Sequence, residues 1–324
     1  MTPLLVLSEE DVVALLDVGG CIDAMEQALS SLARGEAVLP LRPIVKPPDH
    51  NTFLGLMPVF RGGQQPVYGL KTVAVAPENA ARGLDPHQGT VTLFDGVTGQ
   101  TLAVMNAAPV TAIRTAACSA VATKLLARED SRVLAVVGAG HQAHAHLPAL
   151  TAVRDFAEIR VASRSPESAA RTAEGFPGAE AVASVEEAVR GADVIALVTS
   201  SHEPVIERAW VSPGAHINAV GACFPTFREL DTQTVVDSRF YVDRRESAEN
   251  EAGDFLIPLH EGVIDHRHIV GEIGDVLIGA LPGRGSAEEI TVFESQGLAI
   301  EDLFAAEYIV RRGRESGRGV TVEF

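Results

Sequence analysis

Apolar runs and their spacing divide the chain into three stretches. Leu4 to Leu7 predicts a strand. Ser8-Glu-Glu-Asp11 follows as an N-cap with first-turn acids and opens a helix toward Leu16. A second helix is predicted from Cys21 to Arg34, stopped by Gly35. From residue 36 to 110 the pattern turns β-rich. Arg42 to Val45, Thr52 to Met57, Tyr68 to Ala76, Thr90 to Asp95 and Thr101 to Met105 alternate with Pro/Gly turns, and Gly96 and Gly99 mark a hairpin. Thr111 to Arg128 predicts an alanine-rich helix.

Beyond it, strands and helices alternate, which implies βαβ units and a parallel sheet. Strands are predicted at Arg132 to Val137, Glu158 to Ala162, Val194 to Thr199, His216 to Val220 and Phe240 to Val242, with helices near 141–152, 166–175, 184–190 and 228–236. Ile290 to Phe293 is a further strand and Ile300 to Arg312 a helix that packs back on the first stretch. The fold class is therefore α/β: a Rossmann-type doubly wound parallel sheet over residues 126–294, inserted into a smaller α+β substrate-binding and dimerisation domain of residues 1–125 and 295–324.

Composition narrows the partners. With 324 residues, 46% of them hydrophobic, the chain can bury two cores. A net charge of -17 disfavours nucleic acid and anionic membranes, which are bound by Lys/Arg surfaces. The three cysteines, Cys21, Cys118 and Cys223, lack metal spacing and suit a reducing cytoplasm, and no leader or membrane-spanning run is evident.

The chemistry begins at Val133-Leu-Ala-Val-Val-Gly138-Ala-Gly140-His-Gln142-Ala143. A buried strand, a glycine turn and a helix form a dinucleotide site. Gly138 makes the tight turn, Gly140 admits a pyrophosphate, Ala143 takes the helix-packing position, and the helix N-terminus offers N–H groups to phosphate. The next strand ends in Ser163-Arg164-Ser165, with no acid for a ribose 2′-hydroxyl and an arginine suited to a 2′-phosphate, so NADPH is the expected cofactor, with NADH possible. Thr199 and Val220-Gly221 end two further strands in small residues, as strands lining a nucleotide crevice do. His141, His144 and His146 do not share one helix face, so no metal is expected.

Three cations stand in apolar surroundings in the first stretch: Arg42, Lys71 and Arg114. A single such residue is usually a surface charge with a snorkelling stem. Three of them ahead of a nucleotide domain fit a carboxylate-bearing substrate, and a buried lysine can exchange protons near neutrality.

Leu56-Met57-Pro58, Tyr68-Gly-Leu-Lys71, Ala112-Ile-Arg114-Thr115, Gly138-Ala-Gly-His-Gln142-Ala143, Val220-Gly221 with Arg228-Glu-Leu-Asp231, Gly271-Glu-Ile-Gly274-Asp275 and Ser295-Gln-Gly297-Leu-Ala-Ile-Glu-Asp302 together resemble the ornithine cyclodeaminase/mu-crystallin family over nearly the whole chain. The resemblance implies a dimeric NAD(P) enzyme of amino or imino acids. It places Arg42, Met57, Lys71 and Arg114 at the substrate, with Lys71 catalytic. It places Arg114, Thr115, His141, Gln142, Cys223, Ser295 and Gly297 with the glycines and strand ends at the cofactor.

Departures point within the family. Cyclising relatives carry an acid where this chain has Cys223, and another just before Leu-Met-Pro, where it has Gly55. Releasing ammonia from ornithine needs such a base. The chain resembles the ketimine-reducing side instead, which implies reduction of the C=N bond of an α-imino acid, such as cyclic pyrroline- or piperideine-2-carboxylate. The alternative is an amino acid dehydrogenase that joins a 2-oxo acid to ammonia or an amine, as alanine dehydrogenase-like or iminosuccinate-reducing relatives do; ornithine cyclisation ranks third.

Overall fold

The computed structural model describes residues 3–84 and 87–323. They form two compact units, Met1–Arg114 with Leu298–Phe324, and Thr115–Gly297. In chain order the first opens with β1 (Leu4–Leu7), α1 (Glu9–Leu15), α2 (Val18–Ala33), β2 (Ala37–Val38), β3 (Ile44–Val45), β4 (Phe53–Arg61), β5 (Val67–Val75), β6 (His87–Asp95), β7 (Thr101–Asn106) and α3 (Ala107–Leu126), the last of which runs into the second unit. The second unit contains β8 (Val133–Val137), α4 (His141–Thr151), β9 (Glu158–Ala162), α5 (Pro166–Glu174), β10 (Ala179–Ala181), α6 (Val185–Val189), β11 (Val194–Leu197), β12 (His216–Ala219), α7 (Thr232–Val236), β13 (Ser238–Val242), α8 (Arg245–Glu251), α9 (Gly253–His260), β14 (Ile269–Glu272), α10 (Ile273–Leu277) and β15 (Ile290–Glu294). The chain then returns to the first unit with α11 (Ala299–Ser316) and β16 (Val320–Val322).

The first unit is a mixed sheet in the order β16-β1-β7-β6-β5-β4-β2, with β3 also on β4. Alternation decides its two faces. Met57, Val59, Val67, Lys71, Val91, Leu93, Ala103 and Met105 point inward and are buried, on the side where α11 lies over β4, β5 and β6. The opposite face is apolar too. Cross-strand rows Phe60–Tyr68–Phe94 and Pro58–Leu70–Thr92–Val104–Val6 run across it, none of these side chains is buried, and Tyr68 is 47% exposed.

The second unit is an eight-stranded sheet in the order β10-β9-β8-β11-β12-β15-β13-β14, and every pairing in it is parallel. Its strands bury both faces, as parallel strands must. In β8, Ala135 and Val137 enter one core with Ile195, Leu197 and Phe240, while Leu134 and Val136 enter the other with Leu147 and Leu150 of α4. The order 3-2-1-4-5 of its first strands is that of a doubly wound nucleotide fold.

Most predicted elements lie within a few residues of those observed. The helix expected at 228–236 is the clearest difference: α7 starts at Thr232 behind the Asp231 cap, and Glu229 and Leu230 instead give their N–H groups to the Asp254 carboxylate, both at 2.9 Å. Two edge strands, β10 and β14, and the short helices α9 and α10 are additions to the sequence-based picture, whereas α8 coincides with the helix face expected at Glu246 to Glu251.

Candidate active site

Each unit carries a polar site. In the first, the ladder sets Lys71 of β5 opposite Met57 of β4 on the inward face. Lys71 Nζ donates to Asp302 Oδ1 at 3.0 Å and stands 2.8 Å from Oδ2. Asp302 Oδ1 also accepts from Arg114 Nε at 3.0 Å, and Arg114 Nη1 donates to Glu301 Oε2 at 2.6 Å. The two acids open α11, where the helix dipole favours negative charge. None of the four side chains is more than 4% exposed. Arg42, half-buried in the segment between β2 and β3, adds its field to that of Arg114. Lys71 and Arg114, with Arg42 near them, give the cluster cations that suit a carboxylate ligand.

Burial is the main force on Lys71 and pulls its ammonium down to about 8; Asp302 resists, while Arg114 and Arg42 add to the fall. A lysine so placed holds a proton at neutral pH and can give it up.

The second site lies at the carboxyl ends of the parallel strands, where doubly wound folds bind nucleotides. Gly138 follows β8 with φ +127°, and a Cβ there would meet the Val198 carbonyl oxygen at 2.6 Å. Gly140 caps α4, and a Cβ on it would meet nothing within 4 Å. Gln142 Oε1 is buried with no hydrogen-bond partner, and Ala143 is fully buried in the core. An open glycine and a helix N-terminus without a side-chain cap fit a pyrophosphate. At the end of β9, Ser163 Oγ donates to the Ser165 carbonyl, and Ser165 caps α5. Arg164 is exposed and makes no ion pair among the described residues. One acid does approach: Ser165 Oγ donates to Glu167 Oε2 at 3.0 Å.

Further along the sheet, the fully buried Glu229 carboxylate ties two strand ends together. It accepts from Thr199 N at 2.6 Å, Gly221 N at 2.6 Å and Val220 N at 3.3 Å. Cys223 is half-buried, with Sγ 3.8 Å from the Gly221 carbonyl. Gly297 turns at φ +73° and gives its N–H to Asp243, and Ser295 Oγ is buried without a partner.

The ornithine cyclodeaminase/mu-crystallin family profile matches residues 3–317. The chain belongs to the ornithine cyclodeaminase/mu-crystallin family. It is 41% identical to the ketimine reductase mu-crystallin of Mus musculus over 292 residues, 89% of this chain and 90% of that one. Among solved structures, it superposes with a TM-score of 0.94 and 38% identity on the Thermococcus litoralis Δ1-pyrroline-2-carboxylate reductase in complex with NADH and L-proline, covering 98% of this chain and 100% of that one. It is equally similar in shape to an archaeal alanine dehydrogenase dimer with bound NAD, at a TM-score of 0.93 and 33% identity over the whole of both chains.

For this family member, the structure gathers Lys71, Met57 and Arg114 in one buried cluster with Arg42 near it. It distributes Thr115, Gly138, Gly140, His141, Gln142, Ala143, Ser163, Arg164, Ser165, Thr199, Val220, Gly221, Cys223, Ser295 and Gly297 over the second unit. His146 is a core residue, bonded to Ser119 Oγ and the Gln142 carbonyl, and its burial pulls it down to about 4. Among the described residues no group of three or more His, Cys, Asp or Glu is placed to hold a metal. Reading Lys71 and Arg114 as isolated cations needs correction, because both are paired with acids from the other end of the chain. Glu301 and Asp302 were visible as two acids at core positions of an apolar helix, a signal of buried pairing.

Removing one partner of a buried ion pair leaves its cations uncompensated. Asp302→Asn should lower stability by about 3–5 kcal/mol, read as a smaller urea midpoint at unchanged slope; a loss below about 1 kcal/mol would show that water already screens the cluster.

Proposed function

We propose that this chain reduces the C=N bond of an α-imino acid with NADPH, acting on cyclic ketimines such as pyrroline-2-carboxylate or piperideine-2-carboxylate. The observation that carries this reading is the buried Lys71–Asp302–Arg114–Glu301 cluster, which sets an ammonium at about 8 beside a guanidinium, with Arg42 near it. The mouse mu-crystallin is called a ketimine reductase and the Thermococcus litoralis protein a pyrroline-2-carboxylate reductase, which supports the same class here. The dinucleotide supplies the hydride. Arg42 and Arg114 hold the carboxylate, since a guanidinium pairs with it bidentately. Lys71 donates to the imine nitrogen and keeps it protonated, the form in which the carbon accepts hydride best. Water needs no activation, consistent with Cys223 and Gly55 in place of acids.

A second reading, reductive formation of an amino acid from a 2-oxo acid and ammonia or an amine, is favoured by the likeness to alanine dehydrogenase. The same three cations would serve it. We assign the NADPH preference to Ser163, Arg164 and Ser165, supported by an exposed Arg164 without an ion pair. We place the enzyme in the cytoplasm, in keeping with three free thiols. No helix among the described residues is long and apolar enough to cross a membrane. We further propose a homodimer formed through the apolar outer face of the first unit's sheet, because the Phe60–Tyr68–Phe94 row is too large an apolar patch for a monomer to leave wet.

The deciding experiment is an NADPH-consumption screen of cyclic imino acids against 2-oxo acids with ammonia or methylamine; turnover of the second set alone would overturn the ring-imine assignment. Lys71→Ala should lose kcat by about a hundredfold or more while keeping NADPH affinity within a few-fold, and unchanged turnover would remove its role. Because Lys71 acts protonated, kcat/KM should be level below pH 8 and fall above it, and Lys71→Arg should shift that limb beyond the measured range. Arg164→Ala should raise the NADPH KM by about tenfold or more and leave the NADH KM nearly untouched. Tyr68→Asp should turn a dimer into a monomer in sedimentation equilibrium, whereas a monomeric wild type would discard that face as the interface.

A further inference from the structure

The parallel sheet of the second unit ends in buried acid. Glu229, Asp243, Asp254 and Glu294 are each at most 1% exposed. They serve the carboxyl ends of four neighbouring strands: Glu229 bonds just beyond β11 and β12, Asp243 directly follows β13, and Glu294 closes β15. Asp254, in the first turn of α9, holds the Glu229 and Leu230 N–H groups.

The four are not bonded alike. Glu229 accepts from three backbone N–H groups, and Asp243 accepts from those of Arg244, Gln296 and Gly297 at 2.7, 2.6 and 2.7 Å. Such bonds favour the charged form, although at Glu229 burial outweighs them and raises the carboxyl. Asp254 and Glu294 are only half served. Asp254 Oδ1 takes two N–H groups and Glu294 Oε1 takes the Gln296 carboxamide at 2.8 Å, but Asp254 Oδ2 and Glu294 Oε2 are buried with no partner. No Lys or Arg forms an ion pair with Glu229, Asp254 or Glu294 among the described residues. The Arg228 guanidinium, which weighs on Asp254, is taken by the Leu230 carbonyl and Thr232. Burial, and then repulsion from neighbouring acids, pushes Asp254 up to about 8 and Glu294 well above the usual carboxylate range. A buried carboxyl with an idle oxygen is costly unless a proton or a cation comes to it.

In a doubly wound sheet one mononucleotide half lies over the first three strands, here β8 to β10, and the other over the strands past the crossover. The acids therefore stand under the half that carries nicotinamide. That ring is neutral when reduced and becomes cationic once hydride leaves C4 with its electron pair. We infer that the Glu229–Asp243–Asp254–Glu294 cluster is a built-in counter-charge for the oxidised nicotinamide ring: Asp254 and Glu294, which keep protons beside a neutral ring, release them to solvent when the ring becomes cationic, favouring the cationic over the neutral form of the bound cofactor and so driving hydride toward substrate. The inference rests on the dinucleotide reading of this unit. Opposite charge in a dry, preorganised setting acts far more strongly than in water, and it stabilises the positive charge that develops as hydride departs.

The test compares the Kd of NADP+ with that of NADPH by calorimetry, since a cluster that merely held loops together would move both alike. Wild type should bind the oxidised form at least as tightly as the reduced one; a preference for NADPH above about tenfold would overturn the inference without any variant. In Glu294→Gln and, from a separate element, Asp254→Asn, the NADP+ Kd should rise about tenfold relative to that of NADPH. Glu294→Asp, which keeps an ionisable carboxyl, should hold the wild-type ratio. Equal weakening of both forms in the folded variants overturns the counter-charge while leaving the cofactor site intact. Wild type binding neither form overturns the dinucleotide reading, and this inference with it.

Discussion

Asp302 is the interaction on which the first unit depends. One carboxylate holds the Lys71 ammonium and the Arg114 guanidinium, which lie 231 and 188 positions away in the chain. Each partner is buried, and without Asp302 the Lys71 ammonium would lose its carboxylate in a low-dielectric interior while Arg114 kept Glu301 alone. The unit is assembled from two distant segments, and this contact joins them at the point where the chemistry is proposed. Packing of α11 onto the sheet and tuning of Lys71 are thus one event, because the burial that completes the core also pulls the ammonium toward neutrality.

The two units bury charge by opposite means. In the first, acids from a helix start answer cations. In the second, acids are answered by backbone N–H groups at strand ends, where Thr199, Val220 and Gly221 all point at Glu229. N–H dipoles favour the charged form of Glu229, yet burial outweighs them and raises its carboxyl. The net charge of -17 is blind to this division. It bears on partners met at the surface, not on how each interior settles its buried charge.

Strands with continuous apolar runs, such as Val133 to Val137, were legible because burial on both faces leaves no other composition. The edge strands were not. Ala179–Ala181 is three residues with an acid at its centre, and Ile269–Glu272 carries a glycine, so neither shows a strand period. Lys71, Arg114 and the glycine turn were legible as residues whose chemistry exceeds what their surroundings need. Glu229 was not, because Arg228-Glu-Leu-Asp reads as an ordinary helix start while its partners come from two strand ends. A contact whose members share no element leaves no spacing in the sequence. Asp302 fell between these cases: polar at a core position of α11, yet with no nearby residue to name its partner.

The acid missing at Cys223 takes on a physical sense in that light. A carboxylate there would join a loop already beside Glu229, Asp254 and Glu294, and Glu294 is raised in part by Cys223 itself. Like charges a few ångströms apart cannot all ionise, so an added acid would hold its proton and serve poorly as a base. On the proposed reading, the buried acids lie beneath the cofactor, where they favour hydride departure, and no acid stands at Cys223, where deamination would need one.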